Sequence, residues 1–103
     1  MLTSDRRHDR RAPIDVLANR FLDGYPYLCR ATDISRSGLR LYRFNAPNTP
    51  SRYVGLQFQL PGCDDVLTAS GEIVSEDGDA RTVGIRFTHL SAHAAAAIDR
   101  FMG

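Results

Sequence analysis

The sequence predicts an all-β domain with one helix: a small six-stranded antiparallel β-barrel followed by a C-terminal α-helix. Three observations predict it. Six short segments alternate apolar and polar residues at the strand period and are separated by Gly, Pro, Asn and Asp. The tail then changes to helical spacing and becomes rich in alanine. At 103 residues, 43% of them hydrophobic, the chain has material for one modest core. Closing the sheet on itself removes the unpaired edges that an open sheet would expose.

The elements follow in order. Residues 1–12 are polar and aperiodic, which predicts a flexible arginine-rich arm and leaves 13–103 for the barrel domain. Ile14, Val16 and Ala18 alternate with Asp15, Leu17 and Asn19 in a first strand. Leu22 to Tyr25 reads as a turn, and Tyr27 to Thr32 as a second strand. A turn from Asp33 to Gly38 leads to a third strand, Leu39 to Arg43, with Leu39 and Leu41 inward. Asn45 to Ser51 carries two prolines and reads as a loop. Val54, Leu56, Phe58 and Leu60 mark a fourth strand, ended by Pro61-Gly62. Leu67, Ala69, Gly71 and Ile73 mark a fifth, ended near Glu76 to Asp79. Val83, Ile85 and Phe87 mark a sixth, with Thr82, Gly84 and Arg86 on its other face. Ser91 is placed to cap a helix over about 91–102, whose apolar stripe is Leu90, Ala94, Ala97, Ile98 and Phe101.

Charge is unevenly spread. The net charge is +1, which argues against a general nucleic-acid binder. Residues 1–43 nevertheless hold nine arginines and five aspartates, against four arginines and seven acidic residues in 44–103. All 13 basic residues are arginine. No apolar run approaches the roughly 20 residues that span a bilayer, so membrane insertion is not expected. The first residues lack an apolar signal core, so a cytoplasmic location is expected. Cys29 and Cys63 lack metal-ligand spacing and read as reduced thiols. His89 and His93 lie one helical turn apart without a third ligand, so no metal site is expected. No nucleophile–base pair appears, and His8-Asp9 sits on an arm that cannot hold catalytic geometry, so no catalytic residue and no enzyme is expected.

Two polar motifs carry the chemistry. On the arm, Arg6, Arg7, Arg10 and Arg11 place four arginines within six residues. Each offers a planar fork of donors that fits phosphate and also the O6/N7 edge of guanine. The second motif, Asp33-Ile34-Ser35-Arg36-Ser37-Gly38, supplies a carboxylate, two hydroxyls and a glycine on a tight turn. Its carboxylate can accept from the N1–H and N2–H of guanine, which a phosphate site alone would not need. Together they suggest a ligand that is both phosphate and guanine.

That combination resembles the PilZ domain family, the bacterial receptor module for cyclic di-GMP. The family's R-x-x-x-R signature fits Arg7 to Arg11, and Arg6 with Arg10 has the same spacing. Arg7 and Arg11 are preferred because Arg11 precedes Ala12-Pro13, as the family's second arginine usually precedes a Val/Ala-Pro step. Asp33, Ser35 and Gly38 match D-x-S-x-x-G, and Gly84-Ile85-Arg86-Phe87 is similar to the family's last strand. The resemblance implies a split-barrel fold and a cyclic di-GMP site at Arg6, Arg7, Arg11, Asp33, Ser35 and Gly38, with Arg10, Arg36, Gly84 and Arg86 as additional contacts. In it, Ser35 would donate to a phosphate or base, and Gly38 would let the backbone turn where a Cβ would clash. Arg6, just before the R-x-x-x-R pair, points toward two ligand molecules per domain. No resident cofactor is implied.

The function expected is a cyclic di-GMP receptor whose arm changes conformation on binding and signals to a separate, unidentified bacterial effector protein. The alternative is an adaptor of the same fold that acts without nucleotide, using exposed aromatics such as Tyr25, Tyr27, Tyr42 and Phe44. A single-stranded nucleic-acid binder on a small barrel is a third reading, disfavoured by near-neutral charge and sparse aromatics.

Overall fold

The computed structural model describes residues 10–44 and 51–103. Six strands, β1 (Ala12–Leu22), β2 (Tyr25–Ile34), β3 (Gly38–Arg43), β4 (Tyr53–Phe58), β5 (Leu67–Asp77) and β6 (Thr82–Leu90), precede one helix, α1 (Ala92–Met102). The strands close into an antiparallel barrel in the order β1-β2-β3-β6-β5-β4. The barrel and its C-terminal helix are the architecture that the alternation and the alanine-rich tail predict. Expected arm residues 1–9 and loop residues 45–50 lie outside the described residues.

Alternation builds the core. Ala18 and Leu22 of β1, Cys29 and Ala31 of β2, Leu39 and Leu41 of β3, and Val54, Leu56 and Phe58 of β4 all point inward and are buried. Leu67, Ala69 and Ile73 of β5 and Val83 and Ile85 of β6 complete the ring. Leu60 lies past the end of β4 yet is equally buried. Ser91 caps α1: its Oγ accepts from the backbone N–H of Ala94 at 3.0 Å. Ala94, Ala97 and Ile98 of α1 are buried, with Leu90 and Phe101 packed at the margin of the core.

Strand boundaries differ from the sequence reading: β2 is longer at both ends (Tyr25–Ile34) and β4 stops at Phe58, short of Leu60. β1 runs on to Leu22, because Asp23 (φ 51°) and Gly24 (φ 85°) form a two-residue turn in the left-handed region, the geometry that a twisted hairpin favours. The inward register of β1 therefore continues past Ala18 to a position held by Arg20. β5 and β6 are each longer than their apolar residues mark, and register shifts interrupt their pairing between Ser70 and Gly71 and between Ile73 and Ser75. β1 closes on β4 through residues 18–21 against 55–58, the shortest seam of the barrel.

The two ends of the barrel differ in what covers them. At one end stand the 35–37 turn, the start of β1 and α1. At the other stand the Asp23-Gly24 turn and the β5–β6 connection. Among the described residues, no helix is long and apolar enough to cross a membrane.

Candidate functional site

The second motif folds into the turn joining β2 to β3, and its residues divide their tasks. Asp33 faces outward at the end of β2. Its Oδ1 accepts from Arg11 Nη1 at 2.6 Å, and its Oδ2 faces Arg40 Nε at 3.3 Å. A register shift between Ala31 and Asp33 sets Asp33 opposite Arg40. In that bulge the Thr32 hydroxyl donates to the Arg40 carbonyl at 3.3 Å.

Ser35 is fully buried, and its side chain is committed to the turn. Its Oγ accepts from the backbone N–H groups of Ser37 and Gly38, each at 3.2 Å. Its own N–H donates to the Gly38 carbonyl at 2.9 Å. The acceptor side of this hydroxyl is thus taken by the turn. At Gly38 a Cβ would collide with the Ile85 carbonyl of β6, so glycine is needed for strand approach and not for an unusual φ. The turn is tied down from outside as well, where Phe87 N–H donates to the Ser37 carbonyl at 2.8 Å.

Arg36, at the apex of the turn, reaches α1 and donates from Nε to Asp99 Oδ1 at 2.8 Å. Arg10 reaches the same place, its Nη2 donating to the Met102 carbonyl at 3.1 Å. A cation there complements the negative end of the helix. Arg86 pairs with Glu72 across the β5–β6 ladder. Gly84 lies between Arg40 and Ser75, and the Ser75 hydroxyl sits where its Cβ would go.

The structure therefore brings Arg10, Arg11, Asp33, Arg36 and Gly38 to one end of the barrel, with Arg86 beside Gly38 in the ladder. Arg6 and Arg7 lie outside the described residues. Arg40 and Asp99 belong to this constellation and were not foreseen. The inward Leu39 and Leu41 give Arg40 an outward position, but its pairing depends on the Thr32 bulge, which leaves no mark in the alternation.

Arg36 borders two open cavities. One of about 460 Å³ lies between the turn, the end of β6 and α1, and is lined by Arg36, Ser37, Arg86, His89 and Ala95 among others. The other, about 250 Å³, is enclosed by Arg10, Arg36, Asp99, Met102 and Gly103. A third depression of about 260 Å³ on the outer face of β1, β2 and β4 has no charged residue in its lining and does not suit a phosphate. Among the described residues no group of His, Cys, Asp and Glu could hold a metal ion, and His93 pairs with Asp65 at 3.0 Å. Tyr25 is the most exposed aromatic, while Tyr42 meets Phe44 edge-on at 5.7 Å.

The comparisons agree with this geometry. The family model for the PilZ domain matches residues 5–103. No curated protein matches the chain. Among solved structures, the chain is similar to the Bacillus subtilis inhibitor of motility MotI/DgrA (TM-score 0.75, 13% identity, 93% of this chain and 49% of that one). It thus spans about half the length of that relative. It is also similar to the PilZ domain of YcgR from Escherichia coli, solved with c-di-GMP (TM-score 0.67, 16% identity, 93% and 88% covered). A third likeness is to the PilZ domain of CeSA from a cellulose-synthesizing bacterium (TM-score 0.68, 15% identity, 89% and 93% covered).

Proposed function

Since the chain belongs to the PilZ domain family, we propose that it is a receptor for cyclic di-GMP that acts as an adaptor on a separate bacterial effector protein. The observation that carries this reading is the corner where Asp33 stands between Arg11 and Arg40, beside the cavities that Arg36 lines. The Escherichia coli neighbour solved with c-di-GMP supports the ligand, and the Bacillus subtilis neighbour that inhibits motility supports an adaptor role.

Arg7 and Arg11 take phosphate oxygens and a guanine O6/N7 edge, and Asp33 accepts from a guanine Watson–Crick edge. Arg36 and Arg10 extend the cationic wall, with Arg86 and Gly84 further along β6. Arg6 favours a pair of ligand molecules. Ser35 and Gly38 serve by holding the turn and its approach to β6, which fixes where Asp33 and Arg36 stand.

Energetics favour an exchange of partners. Arg11 and Asp33 are both solvent-accessible, and such exposed pairs contribute only about 0–1 kcal/mol. A charge-assisted bond to phosphate is worth about 1.5–3 kcal/mol. Fixing arm residues costs about 1–2 kcal/mol each, so the arm arginines alone do not give tight binding. The preformed turn and cavity supply the surplus. An arm that closes over the ligand presents a new surface to the effector, and the domain works by binding, in the bacterial cytoplasm.

Calorimetric titration with cyclic di-GMP tests this. Wild type is expected to bind at micromolar affinity or tighter, more weakly as salt rises. Arg7→Ala and Arg11→Ala should each lose at least about tenfold, about 1.4 kcal/mol. Wild-type affinity in both variants would remove the site, and absence of heat from the wild type would favour the nucleotide-free adaptor.

A further inference from the structure

α1 has two working sides. It turns Ala95, Asp99 and Met102 toward the motif cavities, and Ala97, Arg100 and Phe101 toward a further cleft on its opposite side. That cleft has a volume of about 400 Å³, and its other wall is the connection that follows β4, residues 60–63. Leu60 is buried, and the Cys63 N–H donates to its carbonyl at 3.0 Å across Pro61-Gly62, where Gly62 has φ 78°. Proline followed by a left-handed glycine is the signature of a type II turn, which fixes this wall. Both walls are also held from outside. Gln59 Nε2 donates to the Asp64 carbonyl at 2.7 Å, His93 at the start of α1 pairs with Asp65 at 3.0 Å, and Ser91 caps the helix. The cleft is therefore preformed.

Among the described residues, Arg100 is the one charged member of the lining. It also stands apart from the other arginines. Leaving aside the inward Arg20 and Arg43, each of the others meets a carboxylate or carbonyl oxygen, whereas Arg100 has no such partner among the described residues. Beside it the floor is apolar, with Leu60 and Ala97 buried and Phe101 half-buried. A wholly apolar occupant would strip water from the guanidinium and replace it with nothing, and a cation would be repelled. A bare phosphate would leave the floor wet. A carboxylate next to an apolar side chain meets both demands, because the guanidinium fork takes both carboxylate oxygens. The cleft is open to solvent. It suits side chains carried on a larger body that covers the rim, since a small-molecule site encloses most of its ligand.

We propose that this cleft docks an acidic segment of the effector protein, with an aromatic or aliphatic side chain on Leu60, Pro61 and Phe101 and a neighbouring carboxylate on Arg100. The assignment rests on the adaptor reading, which requires such a partner, and not on the nucleotide. The test titrates isotope-labelled protein with the blocked peptide Ser-Asp-Phe-Asp-Ser and follows the backbone amide resonances, with no cyclic di-GMP present. Parallel arms use the neutral peptide Ser-Asn-Phe-Asn-Ser and free phenylpropionate. The amides of Gly62, Cys63, Ala97, Arg100 and Phe101 are expected to shift together and saturate, with a dissociation constant of about 1 mM or tighter. The neutral peptide on wild type, and the acidic peptide on Arg100→Gln, should each bind about fivefold more weakly or worse. Arg100 is exposed and holds no other part of the fold, so its replacement leaves the domain folded. The proposal fails if the cleft amides stand still up to about 10 mM peptide, or if Arg100→Gln binds as wild type does. Movement of the 35–38 amides instead would place the peptide in the motif cavities and overturn it. Phenylpropionate binding as tightly as the peptide would make the cleft a small-acid pocket and overturn the protein-segment assignment. A failure here leaves the nucleotide reading standing, and a failed calorimetric titration with cyclic di-GMP leaves this one standing.

Discussion

The two ends of this barrel use arginine in opposite ways. At the motif end Arg10, Arg11, Arg36 and Arg40 lie at the surface, each with a polar partner. At the far end Arg20 and Arg43 turn inward, and their Nε–H groups have none. Exposed guanidiniums cost little to hold in place and can change partners cheaply. Inward ones are fixed by the strand register and carry a desolvation cost. The same side chain thus gives an adaptable surface at one end and a standing electrostatic demand at the other.

The contrast can be broken most sharply through the backbone. Gly38→Ala forces a Cβ onto the Ile85 carbonyl, and neither strand can move away without opening the β3–β6 ladder. The expected loss is about 3 kcal/mol, the upper range for overpacking, read as a lower denaturation midpoint in urea. A normal midpoint would show that the strands are not in close approach.

At the far end, burial raises the Cys29 thiol from an ordinary 9.0 to about 11, with Arg20 opposing. Below about pH 9 the folded and unfolded states both keep the proton. Between about 9 and 11 the unfolded chain releases it while the folded one retains it, so stability falls by about 2–3 kcal/mol as pH rises. Urea unfolding across that range should show a steeper decline for wild type than for Cys29→Ala. Parallel slopes would mean that the thiol titrates as it does in water.

The smallest expected change in stability is at Arg11. Arg11→Ala should alter it by less than about 1 kcal/mol, because its partner pair is exposed. If that variant melted far below wild type, the motif end would be as rigid as the far end and the contrast would collapse.

What was legible in the sequence follows the same division. Alternation exposed the barrel because inward Leu, Ile and Val leave a period-two trace. The helix showed through Ser91 and the alanine spacing. The motif residues were visible, but their division of labour was not. That the Ser35 oxygen also holds the turn leaves no mark in the sequence, and only its burial and backbone contacts show it. Arg20 was hidden because an arginine ends an apolar alternation on paper, whereas the Asp23-Gly24 turn continues the strand beneath it. The Arg40–Asp33 contact needed the bulge at Thr32, a one-residue slip that the alternation does not record.

Arg10 bonds the last turn of α1, so the beginning of the described chain and its C-terminal residue are neighbours. A fluorophore, affinity tag or second domain attached after Gly103 would therefore crowd the corner that holds Arg10 and Arg36. Reporters for ligand titrations are better mounted on the Asp23-Gly24 hairpin, where the opposite pole of the barrel keeps them out of the way.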